Sequence, residues 1–372
     1  MPTQLPNEAQ FEWKVKLTSE GIGGIAATSN IVIVGSRSVL EDSDLFTCHN
    51  ARTGKEMWRV RYPAKGDLDY GNSPRATPLI VNDRVVLLGA FGNLTVVEIK
   101  SGEIVWQTDL KLDFDADTPI WGFCGSPIAV EVKVDGKPTD LIIVQPGAKE
   151  ASLVAYDLSD GDIVWESPGR PPGYGSLIEA EIHGEKQLIG FDAKNLNGWN
   201  LQGQELWSIS PQTPGDFNVP TPISLGNRIF VTSENNGSRI YQFGTDRRIN
   251  SVAQARSDLL APDTHTPVLT KDFVCGIHGS LFCLDKKDLK IIHEVEDDAF
   301  LEYAALVSDG KDCLLVFSQT GEVLLVKALR EKCQILDRLQ LPIQGTTLAH
   351  PALVGDRLFV RLGRELACLK LD

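Results

Sequence analysis

Apolar and polar residues alternate along most of this chain, and the alternation breaks at short turn signals rather than at helix caps. Phe11-Glu-Trp13-Lys-Val15-Lys-Leu17 is one such run. A period of two puts every second side chain on one face of a strand. Apolar residues do not recur at three and four over any useful length, so no substantial helix is expected. The runs are grouped. Thr53-Gly54 is followed by Trp58, and the same Gly-x-x-x-Trp spacing returns at Gly102 and Trp106, Gly161 and Trp165, and Gly203 and Trp207. Thr, Ser or Asp before Gly between two alternating runs predicts a tight hairpin, with Gly supplying positive φ. Asn50, Glu98 and Asp157, just before these turns, are expected to bond the turn's backbone. A large ring at constant offset from the turn predicts packing between neighbouring units. A later copy carries His293 in the Trp position.

A second signal runs in phase with the first. Thr77-Pro78, Ser126-Pro127, Thr221-Pro222, Thr266-Pro267 and His350-Pro351 each open a short apolar stretch, at separations of 49, 95, 45 and 84 residues. Those are one, two, one and two repeats, and Gly175-Ser176 and Ala304-Ala305 open similar stretches where members are missing. Proline donates nothing to a ladder and belongs on an edge strand, here the innermost strand of each unit. Second strands then start at Ile31, Arg84, Leu141, Leu188, Ile229, Phe273, Leu314 and Leu358, which makes eight units. Repetition at this period predicts an all-β, eight-bladed β-propeller of four-stranded antiparallel blades, a single domain over residues 1–372. The eighth unit lacks an outer strand. Phe11 to Leu17 is expected to supply it by pairing with Leu366 to Leu369, which closes the ring and hides its sheet edges.

Composition removes several function classes. Lys and Arg number 36 against 50 Asp and Glu, a net charge of −14, so nucleic acid is not an expected partner. No run of apolar residues is long enough to insert in a membrane as a helix. The start of the chain has neither the basic nor the apolar region of a secretory leader. The expectation is a cytoplasmic monomer as the chain is given, and a periplasmic protein if a leader has been removed. The seven cysteines are scattered without a C-x-x-C pair, and are expected to act as small core residues in a reducing compartment. Asp113-x-Asp115-x-Asp117 suggests calcium, but Thr118 and Cys124 stand where an EF-hand loop needs Gly and Glu.

The Asp-x-x-Thr-Gly-x-x-x-Trp pattern resembles the tryptophan-docking repeat of pyrroloquinoline-quinone dehydrogenases and of the outer-membrane assembly lipoprotein, an eight-bladed propeller without cofactor. Gly71-Asn-Ser-Pro-Arg75-Ala-Thr-Pro78, Trp121-Gly-Phe-Cys-Gly-Ser-Pro127 and Pro172-Gly-Tyr174-Gly-Ser176 look like the bacterial PQQ-like repeat proteins called polyvinyl-alcohol-dehydrogenase-like, abundant in planctomycetes. The resemblance covers essentially the whole chain and implies the fold. The adjacent-cysteine disulfide of quinoprotein alcohol dehydrogenases and a haem-attachment C-x-x-C-H are both missing from the sequence.

Ligand sites on such a ring favour the channel mouth, where loops from an outer strand to the next inner strand converge. Those loops hold Asp67, Asp69, Phe217 and Asp263 together with the candidate binding residues Tyr70, Arg75, Trp121, Phe123, Arg170, Tyr174, His265 and His350. Trp121 lies outside the repeat position, and His265 and His350 lie just before or in the Pro motif. No nucleophile elbow, Walker loop or dinucleotide loop occurs. The expected function is a non-catalytic scaffold that binds a protein or small ligand on its loop-rich face, with no cofactor. The alternative that the resemblance implies is a quinone-dependent alcohol dehydrogenase using pyrroloquinoline quinone with calcium.

Overall fold

The computed structural model describes residues 1–134, 136–343 and 345–371. Their strands form eight separate four-stranded antiparallel sheets. Blades 1 to 7 are continuous in sequence, over residues 26–63, 79–109, 128–167, 178–209, 223–257, 268–295 and 304–340. Blade 8 combines Ala352–Val354, Arg357–Leu362 and Glu365–Lys370 with the N-terminal strand Phe11–Lys16 as its outermost member. The expected closure is therefore present. Phe11 pairs with Leu369, Trp13 with Cys368 and Val15 with Leu366.

The repeat motif acts between blades rather than within them. The indole N–H of Trp13 donates to the Ala51 carbonyl of blade 1 at 3.0 Å, and Trp58 to Ile99 of blade 2 at 2.9 Å. Trp106 and Trp165 reach Leu158 and Leu201 of the next blade, both at 3.0 Å. Each ring also lies on the turn glycine of that next blade. A Cβ on Gly54, Gly102 or Gly161 would stand 2.7 Å from the preceding blade's Trp ring, and one on Gly203 2.4 Å from Trp165. These glycines also hold φ between +68° and +82°, so the turn and the close approach both require them. His293 keeps the bond, with its Nε2 2.7 Å from the Leu329 carbonyl of blade 7. Trp207 departs from the pattern and donates to Gln187 of its own blade at 2.8 Å. The core follows the same logic: one buried cluster joins Ile33, Phe46 and Trp58 of blade 1 to Val85 and Leu87 of blade 2.

The inner strands are joined by a relay of hydroxyls. The Thr77 N–H donates to Ser126 Oγ at 3.0 Å, Ser126 to Ser176 at 2.9 Å, Ser176 to Thr221 at 3.1 Å and Thr221 to Thr266 at 2.9 Å. Thus the Thr-Pro motif does two things: proline closes the edge, and the hydroxyl before it receives the amide of the preceding blade. By register the matching positions in blades 7, 8 and 1 are Ala305, His350 and Gly24, and the relay stops there.

In each blade, the connections from second to third strand and from outer strand to the next inner strand emerge on one face, called here the loop face. The Gly turns emerge on the other.

Candidate functional site

Four loops of the loop face bring an aromatic cluster together. Trp121 lies with its ring centroid 4.5 Å from Phe217, 4.7 Å from Tyr174 and 6.5 Å from Tyr70. Tyr70 is 71% exposed, the neighbouring Ile120 69% and Phe217 48%. Tyr70 also holds φ at +64°, a conformation that disfavours a bulky side chain by order 1–2 kcal/mol. Burial among its neighbours pushes the Tyr174 phenol above the ordinary tyrosine range. The loops that carry the cluster also carry carboxylates. Asp67 and Asp69 are exposed on the Tyr70 loop, Asp113, Asp115 and Asp117 on the Trp121 loop. Beside Phe217, whose N–H donates to Glu234 at 2.6 Å, burial raises the Glu234 carboxyl above its usual range.

The structure brings three of the eight candidate residues into the cluster and places the other five elsewhere. Tyr70, Trp121 and Tyr174 meet in the cluster. Arg75 lies beneath it, buried, with its guanidinium donating to the carbonyls of Trp121 at 2.7 Å, Ser73 at 2.5 Å, and Asp69 and Gly71 at 2.7 Å each. Four of its five N–H donors go to main chain, so it ties the Tyr70 loop to the Trp121 loop. Phe123 is 3% exposed and belongs to the core between blades 2 and 3. Arg170 pairs at 3.1 Å with buried Asp192, apart from the ring contacts. Phe217 belongs with the cluster by contact, and nothing in its sequence neighbourhood separates it from other loop aromatics. Trp199 also lies outside the repeat position, but it is buried in blade 4.

His265 and His350 sit where the hydroxyl relay ends, with the Tyr303 ring edge-on 6.4 Å from each. His265 Nε2 accepts the Ile277 N–H at 3.0 Å, which fixes a neutral ring protonated at Nδ1. Burial, with His350 and His278 nearby, lowers its pKa from 6.5 to about 3. The folded state thus refuses a proton that the unfolded chain takes near 6.5. The stability from this site is complete above that pH and declines as pH falls toward about 3, by up to about 1.4 kcal/mol per pH unit. His265→Gln retains an acceptor but no titration. The slope of Tm against pH between about pH 6 and 4 is expected to flatten in this variant, and an unchanged slope would locate the acid sensitivity elsewhere.

A cavity of about 530 Å³ opens on the same face over the seam of blades 8 and 1, lined among others by Glu20, Glu41, Tyr70, Thr347 and Arg364. Pyrroloquinoline quinone with calcium would need convergent oxygen donors for the ion. Among the described residues, the one group of three candidate ligands is Asp309, Asp312 and Cys313, in a turn of blade 7 on the opposite face. The Asp113 run does not converge either. Asp113 accepts the Thr108 hydroxyl, and Asp115 is the left-handed C-cap of the short helix Leu110–Phe114. Among the described residues, no three His, Cys, Asp or Glu side chains converge on the loop face.

A family model described as outer membrane protein assembly factor BamB matches residues 10–120 and 71–294, well over half of the chain. The chain belongs to this family. BamB of Shewanella oneidensis is 25% identical over 313 residues, which cover 82% of this chain and 70% of that protein. Methanol dehydrogenase (cytochrome c) subunit 1 of Methylorubrum extorquens is 33% identical over 88 residues. That match covers 20% of this chain, and the chain spans only 14% of that subunit's length. The solved quinohemoprotein alcohol dehydrogenase of Comamonas testosteroni superposes with a TM-score of 0.65 at 12% identity, covering 98% of this chain and 76% of that one. At that identity the likeness is one of fold alone. The BamB-family chain is thus a propeller related both to an assembly factor and to quinone dehydrogenases. Among the described residues no helix is long and apolar enough to cross a membrane.

Proposed function

We propose that this propeller is a non-catalytic scaffold that seats a segment of a partner protein on its loop face, with Tyr70, Trp121, Tyr174 and Phe217 as the anchor. The exposed aromatic cluster is the observation that carries this reading. Exposed aromatic groups on a rigid frame are the usual energetic centres of protein interfaces, and Arg75 presets their loops before any partner arrives. The exposed carboxylates on the same loops favour lysine or arginine in that segment by charge, and the rings favour them by cation–π contact. The name of the Shewanella relative, an assembly factor, points the same way.

Panning a random-peptide display library against the protein tests this. Enriched sequences are expected to be basic with apolar anchors, and Trp121→Ser combined with Phe217→Ser is expected to weaken their binding by about 10- to 100-fold. Enrichment indifferent to these substitutions would overturn the site. Titration with pyrroloquinoline quinone and calcium is the second arm. Saturable quenching of indole fluorescence with dye reduction would replace the scaffold reading with the dehydrogenase one.

A further inference from the structure

Cys275 and Cys283 face each other on the adjacent strands Phe273–Ile277 and Leu281–Asp285 of blade 6, with their Sγ atoms 3.2 Å apart. Cys283 Sγ lies 3.8 Å from the Sγ of Cys333, which begins the outer strand Cys333–Gln340 of blade 7. Three of the seven cysteines therefore form a line from core to surface, with the first two fully buried and Cys333 half-buried. Cysteine spacing in the sequence hides this line, because Cys283 and Cys333 are 50 residues apart.

The line crosses a particular seam. Between blades 6 and 7 the hydroxyl relay has ended, since Ala305 stands where blade 6 has Thr266. The docking ring at this seam is the smaller His293. We propose that Cys283 and Cys333 form a reversible disulfide that clamps blade 6 to blade 7, entered through Cys333 by a low-molecular-weight disulfide. In the first step the Cys333 thiolate attacks the reagent disulfide, forms a mixed disulfide and releases one reagent thiol. In the second, the Cys283 thiolate attacks the Cys333 sulfur and releases the other reagent thiol. Two protein thiols lose two electrons and two protons, and one reagent disulfide becomes two thiols. An external thiol that attacks the Cys333 sulfur opens the clamp by the reverse of these two steps and leaves as the reagent disulfide.

Hydrogen bonding from the neighbouring thiol, with burial, holds both Cys283 and Cys333 well above the ordinary thiol range. The exchange is therefore slow near neutrality and accelerates with pH. A closed clamp restricts the unfolded chain across those 50 residues.

The full chain incubated with oxidised glutathione at about pH 8.5, then denatured, alkylated and digested, tests the clamp. Five of the seven thiols are expected to remain alkylable, with one peptide pair joined through Cys283 and Cys333. Tm is expected to rise by about 3 °C or more and to return on reduction. Cys333→Ser, or Cys333→Ala if serine lowers the yield, is expected to abolish both changes. Seven free thiols after prolonged oxidation would overturn the proposal. So would a Cys275–Cys283 pair with Cys333 free, or glutathione left on Cys333 with Tm unmoved.

Discussion

Deleting residues 1–17 is expected to lower Tm by more than about 15 °C, or to abolish the cooperative transition. The segment joins three blades at once. Phe11–Lys16 is the outer strand of blade 8, and Arg357 holds its Glu12 with two bonds of 2.6 and 3.1 Å. Trp13 is 8% exposed, donates to Ala51 of blade 1 and covers Gly54. The Leu5 N–H reaches Asp337 of blade 7 at 2.7 Å, so the chain entering that strand is tied as well. Truncating one large buried aromatic costs about 3–5 kcal/mol, against a typical total of about 5–15 kcal/mol. Removing the whole strand also exposes the ladder of Glu365–Lys370 as an open edge. Calorimetry of the deletion beside Trp13→Ala separates the ring from the strand. A peptide of residues 1–17 added in trans is expected to recover part of the transition, and an unchanged Tm would refute closure by this segment.

The ring was legible because repetition imposes one physical demand many times over. Gly102 must accept a ring and turn at positive φ, and so must Gly54, Gly161 and Gly203; the pattern survives because any other residue fails twice. The same redundancy exposed the missing outer strand of blade 8. The Thr-Pro motif was only half legible. Proline speaks of an edge within one blade, but Thr77 bonding to Ser126 is a fact about two blades, 49 residues apart. The site was least legible because its loops have no period. Arg75 looked like a binding residue of the channel mouth, and burial beneath the loops made it a clamp for four carbonyls. Trp121 drew notice by breaking the repeat, whereas Phe217 joins it only through contact.

Arg361→Ala is expected to destabilise the protein by about 3–5 kcal/mol, through the same seam that the N-terminal strand closes. The side chain leaves blade 8 and ends in blade 1. It is 1% exposed, and its guanidinium donates to the Gly35 carbonyl at 2.7 Å, to the Ser19 carbonyl at 2.8 Å and to Ser36 Oγ at 3.3 Å. Burial opposes the charge and pulls its pKa from 12.5 to about 10, while nearby Glu20 favours it. The favourable side is therefore the hydrogen bonds, and alanine would leave these acceptors buried without a donor while opening a cavity. Methionine fills most of the volume and removes the charge. Arg361→Met is therefore expected to cost less, about 1–3 kcal/mol, which measures the orphaned acceptors alone. Gly21 supplies an independent check from the other side. A Cβ there would lie 2.7 Å from the guanidinium carbon, so Gly21→Ala displaces the arginine without altering it. Chemical denaturation of the three variants should rank alanine at 361 lowest, with Gly21→Ala close to it. If Arg361→Met matches the parent protein, the ring closes without these bonds, through the N-terminal strand and the core that Val32 and Val34 share with Phe359 and Leu366.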